Sequence, residues 1–226
     1  MVVDSKTART ADEWRVWDVP TRLFHWLLVG TIAFAWWSAE TDHMDWHLDA
    51  GYLILGLVVF RLYWGFVGST TSRFASFVRG PRATLTYLRS LPKRAASDTL
   101  GHNPLGAWSI ITMLVLISAL VALGLFAVDI DGISSGPLAD WVDFDTARLC
   151  AEYHKAVFHV LQGFIALHIL AVLFYLFYKH DNLIGPMVHG MRRRGPAASI
   201  APLWRVLPGI VLASVVVWFV AHGFKF

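Results

Sequence analysis

Five runs of roughly twenty apolar residues, each almost free of charge, leave this 226-residue chain few folds to choose from. A helix rises about 1.5 Å per residue, so roughly 20 apolar residues span a bilayer while pairing their backbone groups internally. The runs predict membrane helices over residues 23–39, 47–67, 105–128, 154–178 and 203–222. Pro208 falls near the start of the last one, where its missing N–H costs least. Trp17, Trp36, Trp37, Trp46, Trp64, Trp141, Tyr178, Trp204 and Trp218 recur near the ends of the runs, as interfacial anchors do. Only 15% of the chain is charged and 56% is hydrophobic, too little polar surface to cover a soluble domain, which carries about a quarter charged residues. The expectation is a single all-α integral membrane domain over residues 1–226 that meets membrane lipid on its outer surface.

The distribution of charge predicts orientation. The segment 68–104 carries Arg73, Arg79, Arg82, Arg89, Lys93 and Arg94, and the segment after the fourth helix carries Lys179, Arg192, Arg193, Arg194 and Arg205. The connection 40–46 has no Lys or Arg. In 129–153, Arg148 stands alone against Asp129, Asp131, Asp140, Asp143, Asp145 and Glu152. The positive-inside rule places the N-terminus and both basic loops in the cytoplasm, and the acidic connections and the C-terminus outside. The net charge of +3 is then topology and not a nucleic-acid surface. Within the long basic loop, FASFVRGPRATLTYLRSL suits either an amphipathic helix on the inner membrane face or a solvated loop with a short helix. The N-terminal segment MVVDSKTARTADEW lacks the apolar core of a signal peptide, so the first helix is expected to drive insertion. The single cysteine, Cys150, excludes an internal disulfide, a four-thiolate iron–sulfur site and covalent C-x-x-C-H haem attachment.

Ten histidines are many for so apolar a chain, and an ionisable group in hydrocarbon asks for a functional reason. His154 and His168 lie 14 residues apart in the fourth helix, about 21 Å of rise and within about 40° of one face. His159 is turned about 140° from His154 and about 180° from His168. Two ligands on one stripe at two depths suit two stacked cofactors, whereas one metal ion would want ligands a single turn apart. His25 in the first turn of helix one matches the depth of His168. His47, opening helix two, matches His154, which opens helix four. Haem iron takes an axial ligand from each side, so the pairs predict two non-covalent bis-histidine b-type haems. Arg61 follows His47 by 14 residues on the same stripe, where it either pairs with a carboxylate of the cytoplasmic-side haem or snorkels to the interface. Gly51, one turn after His47, either lets a porphyrin approach or serves helix packing. His102 belongs to a helix-start turn before Pro104, with contact to a quinone headgroup the other reading.

The runs RLFHW, HLDAGY and YHK…ALH…YKHDNL, with VWDVPTRLFHW, FRLYWGFVGS, RFASFVRGP and LGHNPLG, resemble the bacterial cytochrome b561 family. The resemblance is nearest to the cytochrome b subunits associated with Ni/Fe hydrogenases and covers residues 15–189. It implies His25 and His168 on the cytoplasmic-side haem, His47 and His154 on the periplasmic-side haem, and a four-helix antiparallel bundle around both. The fifth, C-terminal membrane helix departs from that core. Two such haems leave no open iron position, so the expected role is electron transfer across a bacterial inner membrane. Electrons would pass between the quinone pool and a periplasmic partner, either a c-type cytochrome or a hydrogenase-like subunit. The family also contains superoxide:quinone oxidoreductases, but acidic outer loops repel that anion. A proton-coupled transporter, the reading from another class, is opposed by the absence of an inverted repeat or a helix broken at mid-membrane.

Overall fold

The structure is a computed structural model that describes residues 14–92, 101–129, 134–192 and 198–225. The expectations resting on Lys93, Arg94, Asp131, Arg193 and Arg194 lie outside the described residues. Eight α-helices follow one another: α1 (Val19–Glu40), α2 (Met44–Val67), α3 (Phe74–Phe77), α4 (Pro81–Ser90), α5 (Pro104–Phe126), α6 (Phe144–Phe177), α7 (Ile184–His189) and α8 (Val206–Ala221). A two-residue antiparallel pair, β1 (Trp14–Arg15) with β2 (Met191–Arg192), ties the two ends of the bundle's sequence together.

Local chemistry explains where the long helices start. Asp18 caps α1 by accepting from Thr21 N at 2.8 Å, with Pro20 in the first turn. Asn103 caps α5 in the same way, accepting from Gly106 N at 2.7 Å ahead of Pro104. Asp143 caps α6 through Thr146 N at 2.9 Å. Two expected boundaries are therefore corrected. α6 begins ten residues before the expected start at 154, because Asp143 supplies a cap that hydropathy does not register. His154 thus sits three turns into the helix and does not open it. His47 likewise lies in the first turn of α2, which starts at Met44. Among the described residues of the basic loop, helix is confined to α3 and α4, with an extended break at Val78–Gly80.

Among the described residues, four helices are long and apolar enough to cross a membrane: Met44–Val67, Pro104–Phe126, Phe144–Phe177 and Leu203–Ala221. The chain is a multi-pass membrane protein. Five such helices were expected. α1 has 22 residues but is not among the four; His25, Thr31 and three tryptophans dilute its hydropathy.

A three-residue turn at 41–43 folds α1 back along α2, α5 pairs with α6, and α8 lies along α2. Their shared core comprises Ala35, Ala50, Ile54, Val58, Leu114, Ile117, Leu120 and Leu161. Lipid is as apolar as leucine, so small residues and van der Waals fit, not the hydrophobic effect, hold such helices together. Gly209 of α8 shows this: a Cβ there would strike the Tyr63 ring of α2. Tyr63 Oη also donates to Arg205 O at 3.0 Å. The leucines and valines left exposed around α6 and α8 form the surface that lipid covers.

Two of the expected interfacial tryptophans serve another purpose. Trp64 is only 1% exposed and its Nε1–H donates to Asp18 Oδ2 at 3.0 Å. Trp17 is buried against His102, with ring centroids 4.6 Å apart. Indoles close to a run's end read alike in sequence, whether they face lipid or the interior. Around Asp18 a polar knot forms: Thr21 Oγ1 and Ser72 Oγ lie 2.6 Å apart, and Thr71 Oγ1 donates to Val16 O at 2.6 Å.

Candidate functional site

The histidines fall into two groups, one at each end of the bundle. At the end carrying the short 41–43 turn, His47 of α2 and His154 of α6 face each other with ring centroids 6.0 Å apart and planes at 78°. Each ring is oriented from the helix beside it. His47 Nδ1 donates to Ala35 O of α1 at 2.8 Å, and His154 Nδ1 donates to Leu120 O of α5 at 2.8 Å. A carbonyl can only accept, so both neutral rings carry their proton on Nδ1 and keep the Nε2 lone pair free. Gly124 completes the seat, since a Cβ there would come within 3.0 Å of His154 Cε1. At Gly51, one turn after His47, nothing lies within 4 Å of where a Cβ would be.

At the opposite end, His25 of α1 and His168 of α6 are both half-buried and close enough to interact electrostatically. The loop residue His102 belongs to the same cluster. By surface area it is half-buried, but its ring turns inward between Trp17 and Phe77, at centroid distances of 4.6 and 5.0 Å. Burial drives its pKa down to about 3, and the positive charge of Arg61 and the nearby His168 and His25 add to the shift. The backbone here forms the helix-start turn expected before Pro104, while the inward course of the ring was not foreseen. Arg61 is 5% exposed, with its guanidinium carbon 4.9 Å from the Phe74 ring centroid. It therefore does not snorkel to water.

The four predicted histidines are thus gathered as two pairs, with Arg61 beside the second. Among the described residues no three of His, Cys, Asp or Glu are grouped to hold a bare metal ion. Sequence reasoning missed Gly124 and the carbonyls of Ala35 and Leu120. Nothing in a sequence marks a carbonyl as a histidine's partner, and Gly124 reads as any helix glycine. His159, expected to stand off the ligand face, does so, exposed and bonded to Gln162 Oε1 at 3.0 Å.

Residues 16–190 match the family described as prokaryotic cytochrome b561. A probable Ni/Fe-hydrogenase B-type cytochrome subunit of Azotobacter chroococcum mcd 1 is 24% identical over 224 residues, covering 78% of this chain and 87% of that protein. Its counterpart in Azotobacter vinelandii is 23% identical with the same coverage. No solved structure matches. The family match ends at 190, so α8 lies beyond it.

Proposed function

The chain belongs to the prokaryotic cytochrome b561 family, and on that premise we propose that it binds two haem b groups and carries electrons across the membrane between them. The observation that carries this reading is the His47–His154 pair. Two metal–imidazole bonds of about 2.0 Å, with the ring radii, put the centroids of a bis-histidine pair roughly 6 Å apart; the rings stand at 6.0 Å. Their Nδ1 protons are already committed to carbonyls, the outer-shell arrangement that fixes a ligating imidazole. His25 and His168 supply the second pair, and the open space in front of Gly51 suits the close approach of a flat macrocycle.

His47 with His154 and His25 with His168 would hold the haems, and a bound haem would supply a one-electron iron couple suited to electron transfer. The residues' work is therefore to hold and orient. α6 spaces His154 and His168 along one stripe, while α1 and α2 present His25 and His47 from across the bundle. The carbonyls of Ala35 and Leu120 keep the His47 and His154 rings from turning. The His25–His168 end carries the basic loops and is assigned to the cytoplasm of a bacterial inner membrane, with the acidic connections and the C-terminus in the periplasm. Electrons would enter or leave through quinone in the membrane and through a periplasmic partner, either hydrogenase-like or a c-type cytochrome. The Azotobacter relatives are named as hydrogenase subunits, which supports the first kind of partner.

The test is the reduced-minus-oxidised absorption spectrum of the purified chain. A b-type signal corresponding to two haems per chain is expected, and His154→Ala should remove one of them while the fold persists. A colourless wild-type protein purified from haem-replete cells would refute the proposal.

A further inference from the structure

Among the described residues, the buried side-chain atoms without a hydrogen-bond partner are Arg22 Nε, His25 Nδ1, Arg61 Nη1 and His102 Nδ1. All four lie at one end of the bundle. Arg22 and His25 are in the first turns of α1, Arg61 is near the end of α2, and His102 immediately precedes α5. Buried polar atoms are almost always paired, because each one left alone forfeits its bond to water without replacement. The contrast with the other end is direct, since His47 and His154 both have carbonyl partners there.

Guanidinium nitrogens only donate, so the missing partner of Arg61 Nη1 and Arg22 Nε is an acceptor, and the buried charge of Arg61 favours an anionic one. Among the described carboxylates at this end, Asp18 acts electrostatically on Arg61 but gives it no hydrogen bond, and Asp181 has a partner of its own. Asp18 accepts from Thr21 N and Trp64 Nε1, and Asp181 is paired with Arg192 at 2.7 Å. Phe74 and Phe77 wall the space between Arg61 and His102, their rings 5.9 Å apart, with Arg61 over the first and His102 against the second. Unpaired nitrogens from α1, α2 and the loop before α5 thus lie at one end of the bundle, those of Arg61 and His102 beside apolar rings.

We propose that Arg61 and His102, with Arg22, are the receptor for the two carboxylate side chains of the haem held by His25 and His168, an inference that rests on the haem reading above. Charge-assisted bonds from Arg61 and His102 fix the macrocycle's rotation about the iron–histidine axis and raise the potential of that haem relative to a site lacking them. A lipid phosphate offers similar acceptor chemistry, so the experiment must separate the two sources.

The test has two parts, both on the full chain in membranes. Potentiometric titration of Arg61→Gln and His102→Gln should lower the midpoint of one haem wave and leave the other in place, and Arg61→Lys should restore most of the shift. In parallel, the chain is synthesised in haem-deficient membranes and supplied with haem b or with its dimethyl ester, which lacks the carboxylates. The ester should fill one of the two sites about tenfold more weakly in the wild type, and the difference should vanish in the Arg61→Gln/His102→Gln double variant. Midpoints unmoved in every variant, or an ester that fills both sites as well as the free acid, would overturn the proposal. Midpoints that move while the ester is tolerated would assign the pocket to a lipid anion instead, and would overturn it too. If Arg61→Gln fails to fold, His102→Gln and the wild-type ester comparison decide. A wild type with no b-type signal would instead sink the haem reading itself.

Discussion

His154 depends on atoms of a neighbouring helix at both its ring edge and its face. Leu120 O takes its Nδ1 proton, and the missing side chain of Gly124 leaves room for the ring. A valine at 124 would place its Cβ within 3.0 Å of Cε1, so the ring must turn away from His47. Gly124→Val is expected to abolish one of the two haem signals, whereas Gly163→Ala, where nothing lies within 4 Å, is expected to leave both intact. Low-temperature difference spectra would distinguish the two waves. At the other pair, Arg61→Leu removes a buried positive charge and should lower one midpoint potential; a redox titration identical to wild type would show that Arg61 senses no redox centre. Histidine spacing in the sequence made the two spatial pairs of histidines legible. The groups that aim those histidines were not legible, because they are main-chain carbonyls and an absent side chain.

Helices here are set by capping as much as by hydropathy. Asp18 both caps α1 and holds the Trp64 indole, so it joins the start of α1 to the end of α2. Asp18→Ala removes a cap worth about 1 kcal/mol and leaves a buried N–H unpaired at a cost of about 1–3 kcal/mol. A clear fall in the thermal unfolding midpoint in detergent is expected, and an unchanged midpoint would show that the knot around Asp18 is dispensable. α8 is a different case. It packs along α2 through Gly209, which meets Tyr63 and Phe60. Gly209→Leu should loosen α8, read as faster proteolysis of the C-terminal segment, while the haem spectrum stays that of wild type. Loss of haem in that variant would mean that α8 helps to hold the α2 ligand in place. Hydropathy located α8 from its sequence within a few residues, yet it misplaced the start of α6 by ten, because a polar, capped helical extension carries no apolar signal.

For the molecule as a whole, the charge pattern and the two-ended site make one joint prediction. Reporter fusions at 92 and 192 should be active in the cytoplasm, and fusions at 42 and 225 in the periplasm; the reverse pattern would exchange the two haem sites between membrane faces. The membrane class and four of the five apolar runs were readable in advance, since each depends on length and composition counted along one chain. The runs alone overstated one point, since α1 falls short of the apolarity of the other four helices.

The tertiary structure decided which residues meet. It set the His47 and His154 rings 6.0 Å apart and turned Trp17 and Trp64 inward. It also drew His102 from a loop into the interior beside Arg61. Those outcomes depend on how helices pack side by side, and a one-dimensional pattern of apolar residues does not encode rotation about a helix axis or the course of a loop. The unpaired donors at the His25–His168 end belong to the same level, because an unsatisfied atom exists only once its neighbours are in place.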